Sequence, residues 1–292
     1  MTKDIKKFIS KCLNKASRIL IDLSKRFLYT RSTLLLSGHP RSLYQTPFGY
    51  KFWLNDSGYI DKQIISRGVF EPKMTTVAED LIKSGDVVLD VGANIGYYTV
   101  IFSKLVGEFG KVFAFEPTKH FREVLKQNVE SNKLKNIEII DVGLSNKTQK
   151  LSIDIGPSSA TLHSPDGYDH IVGNEDISLI TLDEFIRSRK LEKIDFIKID
   201  IDGHEPLLFK GAWETLDKYS PVIIFEVSHL HYLEAGFAAW EFYDLIRAKG
   251  YRFFHEDGLV EITSRVIFLR ECGNFAYSSN VVIAKNNISK KN

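Results

Sequence analysis

Two groups of residues in this chain have the types and the spacing that chemistry at the end of a strand requires. The first is the segment DVGANIG at residues 90–96, the second is an acidic cluster at residues 200–205, and each follows a short apolar run. Glycines at a strand-to-helix turn let the backbone approach a ligand closely. A carboxylate or a histidine can take a proton from a reacting group. Together the two groups indicate a bound ligand beside a reaction centre.

The spacing of the glycines narrows the choice of ligand. A dinucleotide-binding loop has glycine at relative positions 1, 3 and 6, where this chain has Gly92, Asn94 and Tyr97. The loop also lacks the Lys-Ser/Thr pair of a phosphate-binding loop. The pattern favours a nucleoside-like ligand without phosphate, such as S-adenosylmethionine. Asp90 would either supply a negative charge for the cationic methionine end of that ligand or orient the loop.

Other residues suited to this ligand lie near the ends of predicted elements. Glu116 ends a strand, where a carboxylate can bind ribose hydroxyls, although an acid at a helix start is also favoured by the helix dipole. Asp141 and Val142 would flank the adenine, unless Asp141 is a turn acid. Glu71 would cover the methionine end of the cofactor; the alternative is that it is simply an acidic residue at the start of a helix. The predicted cofactor-binding residues are Glu71, Asp90, Gly92, Asn94, Gly96, Tyr97, Thr99, Glu116, Asp141, Val142 and Asp200.

The elements that position these residues alternate along the chain. Apolar runs predict strands at 50–54, 87–91, 111–115, 137–141, 151–155, 177–180, 194–199, 221–227, 251–254 and 281–284. Helical periodicity predicts helices at 73–83, 96–105, 118–132, 182–188, 204–216 and 238–249. This alternation indicates a mostly parallel sheet with helices on both faces, which binds ligands at the carboxyl ends of its strands. The long loop at 156–176 would suit a substrate lid or is a surface loop.

The segments resemble the FkbM family of methyltransferases. The matching pieces are GVFEP (68–72), GDVVLDVGANIGYYT (85–99), FEP (115–117), TLDEF (181–185), FIKIDIDGHE (196–205) and PVIIFEV (221–227). The resemblance implies an α/β class I methyltransferase fold, a Rossmann-like three-layer sandwich with a mostly parallel seven-stranded sheet. It also implies O-methylation of hydroxyls with S-adenosylmethionine as cofactor. Asp202 stands where the family usually has a glutamate, so its carboxylate is one methylene shorter.

On this interpretation the reaction centre lies after the fourth strand of the core. A neutral hydroxyl is a poor nucleophile, so its methylation needs a general base and in-line positioning of the acceptor oxygen. Asp200 is the preferred candidate for contact with the cofactor or the acceptor. The alternative is that its carboxylate caps the helix that follows. Of two histidines after the fifth strand, His229 and His231, one would serve as base or bind the acceptor. The predicted catalytic residues are Asp200, Asp202, His204, Glu205 and His229.

A divalent metal is an alternative that the sequence does not require. Asp200, Asp202 and Glu226 could form an oxygen-rich site of the kind that hard cations prefer. No spacing of ligands demands such a site, so no metal ligands are predicted.

Composition limits the partners. The chain has 292 residues, a formal net charge of +2 and two cysteines, Cys12 and Cys272. This charge gives no general basic excess for nucleic acid, and the cysteine pattern suggests neither a metal motif nor a disulfide framework. We therefore expect a cytoplasmic protein with a small-molecule or glycan acceptor and no nucleic-acid partner. No apolar run approaches the ~20 residues of a membrane span.

The N-terminal segment differs from the rest of the chain. Apolar residues recur at helical spacing from Ile5 to Phe27, and lysines and arginines fill much of the other face. This basic amphipathic helix would pack on its own domain, join a homodimer or lie on an anionic membrane surface through residues 1–41. The predicted domains are a helical extension (1–45), a methyltransferase domain (46–286, with its cofactor-binding core at 84–228) and a polar tail (287–292).

The function expected from these features is O-methylation of a hydroxyl on a saccharide, glycan or related natural product. Two alternatives remain open: methylation of RNA or protein, and a non-catalytic S-adenosylmethionine-binding module in a biosynthetic complex. The lack of a basic, aromatic patch argues against RNA. The intact acidic cluster at 200–205 argues against the module.

Overall fold

The computed structural model of the protein describes residues 40–56, 58–156, 159–161, 173–272 and 278–288. The N-terminal helix predicted within residues 1–41, most of the 156–176 loop and the end of the polar tail lie outside the described residues. The fold below belongs to the compact unit that begins at Arg41.

Strands and helices are numbered in chain order within the described residues. The strands are β1 (Ser42–Gln45), β2 (Lys51–Leu54), β3 (Val87–Val91), β4 (Lys111–Phe115), β5 (Ile137–Ile140), β6 (Gly143–Leu144), β7 (Gln149–Ile155), β8 (Ala160–Thr161), β9 (Gly173–Ile180), β10 (Phe196–Ile199), β11 (Val222–Val227), β12 (Arg252–His255), β13 (Glu261–Ile262) and β14 (Ser279–Ala284). The helices are α1 (Tyr59–Arg67), α2 (Pro72–Leu81), α3 (Tyr97–Val106), α4 (Lys119–Ser131), α5 (Leu182–Arg189), α6 (Glu205–Lys210), α7 (Trp213–Tyr219), α8 (His229–Glu234), α9 (Ala239–Ala248) and α10 (Arg265–Cys272).

The main sheet has the strand order β13-β12-β14-β11-β10-β3-β4-β5. Strands β5, β4, β3, β10 and β11 run parallel, whereas β14 is antiparallel to both β11 and β12. The predicted seven-stranded, mostly parallel sheet is confirmed, and β13 adds a two-residue strand at one edge. The chain order reverses between β3 and β10, and such a switch point is where an open α/β sheet binds its ligand.

The core lies on both faces of this sheet. Side chains alternate between the faces along a strand: Leu89 and Val91 join one buried cluster, whereas Val88 joins the other. Both faces are apolar because helices cover both, as in other parallel sheets. This arrangement is the predicted three-layer sandwich.

A second, four-stranded sheet has the order β6-β9-β7-β8. Strand β7, which contains the strand predicted at residues 151–155, pairs antiparallel with β9. Strand β9 begins at Gly173, earlier than the predicted start at residue 177, so part of the predicted 156–176 loop is strand.

Some elements differ from the sequence-based prediction. Residues 42–45, which we placed in the helical extension, form β1 and pair with β2. The single helix predicted at 204–216 is two helices, α6 and α7, which meet at Gly211. A Cβ atom on Gly211 would lie 2.2 Å from the backbone oxygen of Ser145, so a tertiary contact fixes this break. Helices α1, α8 and α10 were not predicted. Within the described residues, no helix is long and apolar enough to cross a membrane.

Candidate active site

The glycine loop joins β3 to α3 and forms the floor of a cleft. Gly92 has φ of +79°, and a Cβ atom there would lie 1.9 Å from the backbone oxygen of Asp200. Gly96 has φ of +85°, and its Cβ would lie 2.2 Å from Leu125. Gly92 therefore requires glycine for conformation and for space, whereas at Gly96 the positive φ is the main requirement, because the close atom is the end of the Leu125 side chain. Asn94 also has a positive φ, of 51°, which asparagine tolerates better than most residues.

Asp90 lies beneath this loop and not on the cleft wall. Its side chain is fully buried, and its Oδ2 atom accepts a hydrogen bond from Thr99 in α3. Burial raises the pKa of Asp90, and the nearby Lys198 ammonium opposes that rise. Tyr97 is likewise buried, against Phe52 and Phe70. Of the two roles considered for Asp90, this position favours orientation of the loop, and Thr99 and Tyr97 support the loop from below.

Glu116 directly follows β4 and lines the cleft. Its Oε2 atom accepts a hydrogen bond of 2.8 Å from the backbone N–H of Asn94. Its Oε1 atom accepts from the backbone and the hydroxyl of Thr118. Burial raises the pKa of Glu116, and these hydrogen bonds oppose the rise. The carboxylate thus holds the glycine loop to the end of the neighbouring strand, while the predicted ribose contact stays a prediction.

The cleft has an empty volume of about 650 Å³, which includes the open space at its mouth, and it extends from the glycine loop to the acidic cluster. Its polar wall comes from Asn94, Glu116, Thr118, Asp200, Asp202 and His204. Its apolar wall comes from Phe115, Phe121, Leu144, Ile153, Ile177 and Leu179. A loop that leaves no room for a Cβ atom at Gly92, an apolar wall for the adenine base and carboxylates at the rim fit S-adenosylmethionine.

Some of these wall residues were not foreseen. Asp141 is exposed, and neither it nor Val142 is among the cleft-lining residues; Gly143 and Leu144 line the cleft instead. Ile153, Ile177 and Leu179 come from the second sheet. The alternating apolar pattern of β7 and β9 marks a buried face but does not say what that face covers.

Asp200 follows β10 at the rim of the cleft. Its Oδ2 atom lies 2.9 Å from the Nζ atom of Lys198, a lysine that is 3% exposed. Lys198 also donates to the backbone oxygen of Gly92 at 3.5 Å and lies over the Tyr98 ring. Lys198 was not among the predicted site residues; a lysine inside a buried strand is the signal that could have revealed it.

Asp202 stands beside Asp200 with a positive φ of 51°. Burial, reinforced by the Asp200 carboxylate, raises the pKa of Asp202 to about 7. Side-chain atoms of Asp202, Glu226 and His231 lie within 4.8 Å of one another. This set differs from the metal alternative considered above, because His231 replaces Asp200.

The remaining predicted catalytic residues occupy different positions. His204 lines the cleft, with Nε2 2.9 Å from the Ser145 hydroxyl. Glu205 is fully buried in the first turn of α6, where Oε1 accepts from the Ile201 N–H, and burial raises its pKa to about 8. His229 is buried at the start of α8 and does not line the cleft. The structure thus brings His231, not His229, to the acidic cluster.

Glu71 lies on the other side of the Lys198–Asp200 pair. Its Oε2 atom accepts a hydrogen bond of 2.9 Å from Tyr98, and Oε1 is 3.5 Å from Asn280. Burial and the Asp200 charge raise the pKa of Glu71, and Lys198 opposes them. Its φ of +44° is unusual for a glutamate, and strained backbone of this kind clusters at functional sites.

The strand order, the glycine cradle and the acidic rim define a class I S-adenosylmethionine-dependent methyltransferase. Within this class, a family model for the methyltransferase FkbM domain matches residues 90–253. The chain belongs to the FkbM methyltransferase family, as the sequence motifs predicted.

The chain also resembles individual proteins, at sequence identities of 31% or less. The chain is 31% identical over 141 residues to the hexuronic acid methyltransferase AglP of Haloferax volcanii, a match that covers 48% of this chain and 55% of that protein. It thus spans about half the length of that relative. It is 26% identical to methyltransferase sdnD of Sordaria araneosa, over 53% of this chain and 70% of the other. The crystal structure of methyltransferase FkbM from Methylobacillus flagellatus aligns with a TM-score of 0.43 at 16% identity, over 68% of this chain and 44% of that one.

Proposed function

We propose that the protein transfers the methyl group of S-adenosylmethionine to a hydroxyl of a saccharide or a related natural-product acceptor. The observation that carries this proposal is the single cleft that joins the glycine loop to the carboxylates of Asp200 and Asp202. A relative that acts on hexuronic acid supports a saccharide acceptor.

Bound S-adenosylmethionine would supply an electrophilic methyl group on a sulfonium. Asp202 is the general base that best fits the structure, because a pKa near neutrality suits proton transfer at physiological pH. Its carboxylate would take the proton of the acceptor hydroxyl as that oxygen receives the methyl group, with S-adenosylhomocysteine as the leaving group. Asp200 is less suited to this role, because Lys198 already binds one of its oxygens. We assign Asp200 the role of orienting the acceptor and the adjacent glycine loop.

Transfer of isotope-labelled methyl from S-adenosylmethionine to a panel of purified glycans tests this proposal. We expect label in an alkali-stable methyl ether, and loss of transfer but retention of cofactor binding in Asp202→Asn. Cofactor binding without transfer to any glycan, protein or RNA would favour the non-catalytic module. Label in protein or RNA alone would favour the other alternative.

A further inference from the structure

A second pocket lies beside the cleft at the same edge of the main sheet. It is open, has an empty volume of about 940 Å³ and is lined by Tyr59, Glu71, Pro72, Lys73, Met74, Glu256, Ser278, Ser279 and Asn280. Its walls are the starts of α1, α2 and β14 and the residue after β12. Because β14 runs antiparallel to β11, its first residues lie next to the carboxyl end of β11.

The pocket shares a wall with the reaction centre. Asn280 pairs with Glu226 in the register of β14 and β11, and the side chain of Ser278 hydrogen-bonds to Glu226. On the same wall, Asn280 also contacts Glu71, whose charge interacts with Asp200. A ligand in the pocket would therefore be adjacent to the carboxylates at the end of the cofactor cleft.

The lining of the pocket is rich in groups that bind hydroxyls. Glu71 and Glu256 offer carboxylate oxygens, and Asn280 and two serines can donate and accept. Tyr59 supplies an aromatic ring that is 63% exposed and stands edge-on to Phe70 at 6.3 Å. A few polar groups that fix orientation beside an exposed ring are typical of a small-molecule site.

The charges of the lining disfavour an anion. Lys73 is the cation among the lining residues, and its Nζ atom lies 3.0 Å from Asp257. The lining carboxylates Glu71 and Glu256 outnumber this cation, which already pairs with Asp257, so a carboxylate or phosphate on the ligand would meet a net negative charge. Hydroxyls, by contrast, would donate hydrogen bonds to these oxygens.

We infer that this pocket is the acceptor site and that the unit it holds is an uncharged, polyhydroxylated ring. This inference rests on the proposed function and deepens it by naming the site and the charge of the acceptor. Tyr59 packs against one face of the ring, while Glu71, Glu256 and Asn280 bind its hydroxyls. The hydroxyl nearest to Glu226 and Asp202 is the one that receives the methyl group.

Ligand-observed NMR on the full chain, saturated with S-adenosylhomocysteine, tests the inference. The probes are neutral methyl pyranosides of gluco, galacto, manno and rhamno configuration and the methyl glycosides of glucuronate and galacturonate. We expect at least one neutral pyranoside to bind, and to bind about fivefold or more tightly than its uronate counterpart where one exists. Tyr59→Ala and Glu256→Gln should each weaken that binding about fivefold.

Phe109→Ala is the matched control, because this aromatic residue is 91% exposed and precedes β4 at the opposite edge of the sheet. It should leave pyranoside binding unchanged. The inference is overturned if none of the neutral pyranosides binds, if uronates bind more tightly, or if Tyr59→Ala and Glu256→Gln bind like the unmodified chain. Transfer of labelled methyl to the glycan panel by the unmodified chain separates these results from failure of the proposed function. Transfer to a glycan together with any of these binding results overturns the inference alone, whereas absence of transfer to every glycan overturns the proposed function.

Discussion

The Nζ atom of Lys198 lies 2.9 Å from Oδ2 of Asp200 and 3.5 Å from the backbone oxygen of Gly92. One buried ammonium therefore ties the reaction centre to the glycine loop. Burial acts to lower the pKa of Lys198, but the Asp200 and Asp90 carboxylates outweigh it, so the pKa lies above its usual value and the lysine stays charged. The two halves of the cleft depend on this contact.

Lys198→Met should destabilise the protein and weaken cofactor binding. Lys198 is buried but the Asp200 side chain is 36% exposed, so removing the ammonium leaves a partly solvated carboxylate, at a cost of about 1–3 kcal/mol. The free energy of unfolding in urea and the calorimetric affinity for S-adenosylmethionine measure the two effects. Lys193→Met is the control, because the Lys193–Asp195 pair lies on the surface and should contribute less than about 1 kcal/mol. Equal losses in the two variants would contradict the role given to Lys198.

Gly92→Ala should abolish cofactor binding. The added Cβ would collide with the Asp200 backbone oxygen at 1.9 Å, so the loop or the reaction centre must move. Gly85→Ala controls for backbone strain, because Gly85 has φ of +85° with no atom within 4 Å of its Cβ position. That variant should keep its affinity and lose only about 1 kcal/mol of stability. Calorimetry showing normal affinity in Gly92→Ala would refute the assignment of the loop.

Local sequence predicted most of the main sheet and part of the site. The run at residues 87–91 is apolar because both faces of β3 are buried, and Gly92 and Glu116 follow their strands directly. Features set by distant contacts were not predictable. The α6–α7 break depends on the approach of Ser145 to Gly211, and the apolar wall of the cleft comes from a second sheet.

The difference between His229 and His231 shows the same limit at the site. Both follow β11, and neither sequence spacing nor composition separates them. Their positions in α8 do: the first turn of that helix buries His229, whereas the Cβ of His231 packs against Gly203 in the acidic loop. Which histidine faces the cluster depends on how α8 packs.

The rate of methyl transfer should depend on the ionisation of Asp202. Its pKa of about 7 means that the carboxylate is protonated below that pH and cannot accept the acceptor proton. We expect kcat/KM to rise with pH and to reach half its maximum near pH 7. Asp202→Asn should lower kcat about 10²-fold to 10⁴-fold and remove this limb, whereas Asp202→Glu should restore part of the activity. An unchanged pH profile in Asp202→Asn would exclude it as the base.

Glu205 should make stability depend on pH without acting in catalysis. Its pKa is raised by burial to about 8 from 4.5. Between about pH 4.5 and pH 8 the folded state therefore keeps a proton that the unfolded state loses, so stability falls as pH rises. Glu205→Gln should remove this dependence. Between pH 5 and pH 8.5 the free energy of unfolding should fall less in Glu205→Gln than in the unmodified chain, by on the order of 1–3 kcal/mol. Urea unfolding of both proteins at the two pH values measures these free energies. An equal fall in the two proteins would contradict the prediction.

Chelation should leave the activity unchanged. A divalent cation would need several oxygen ligands, and the Lys198 ammonium already occupies an oxygen of Asp200 and would repel a cation beside it. The remaining candidate ligands are Asp202, Glu226 and His231. We expect equal rates of methyl transfer before and after dialysis against EDTA. A different result would assign a metal to these three residues: EDTA abolishes the activity, and Mg²⁺ or Mn²⁺ restores it in the unmodified chain but not in Glu226→Gln.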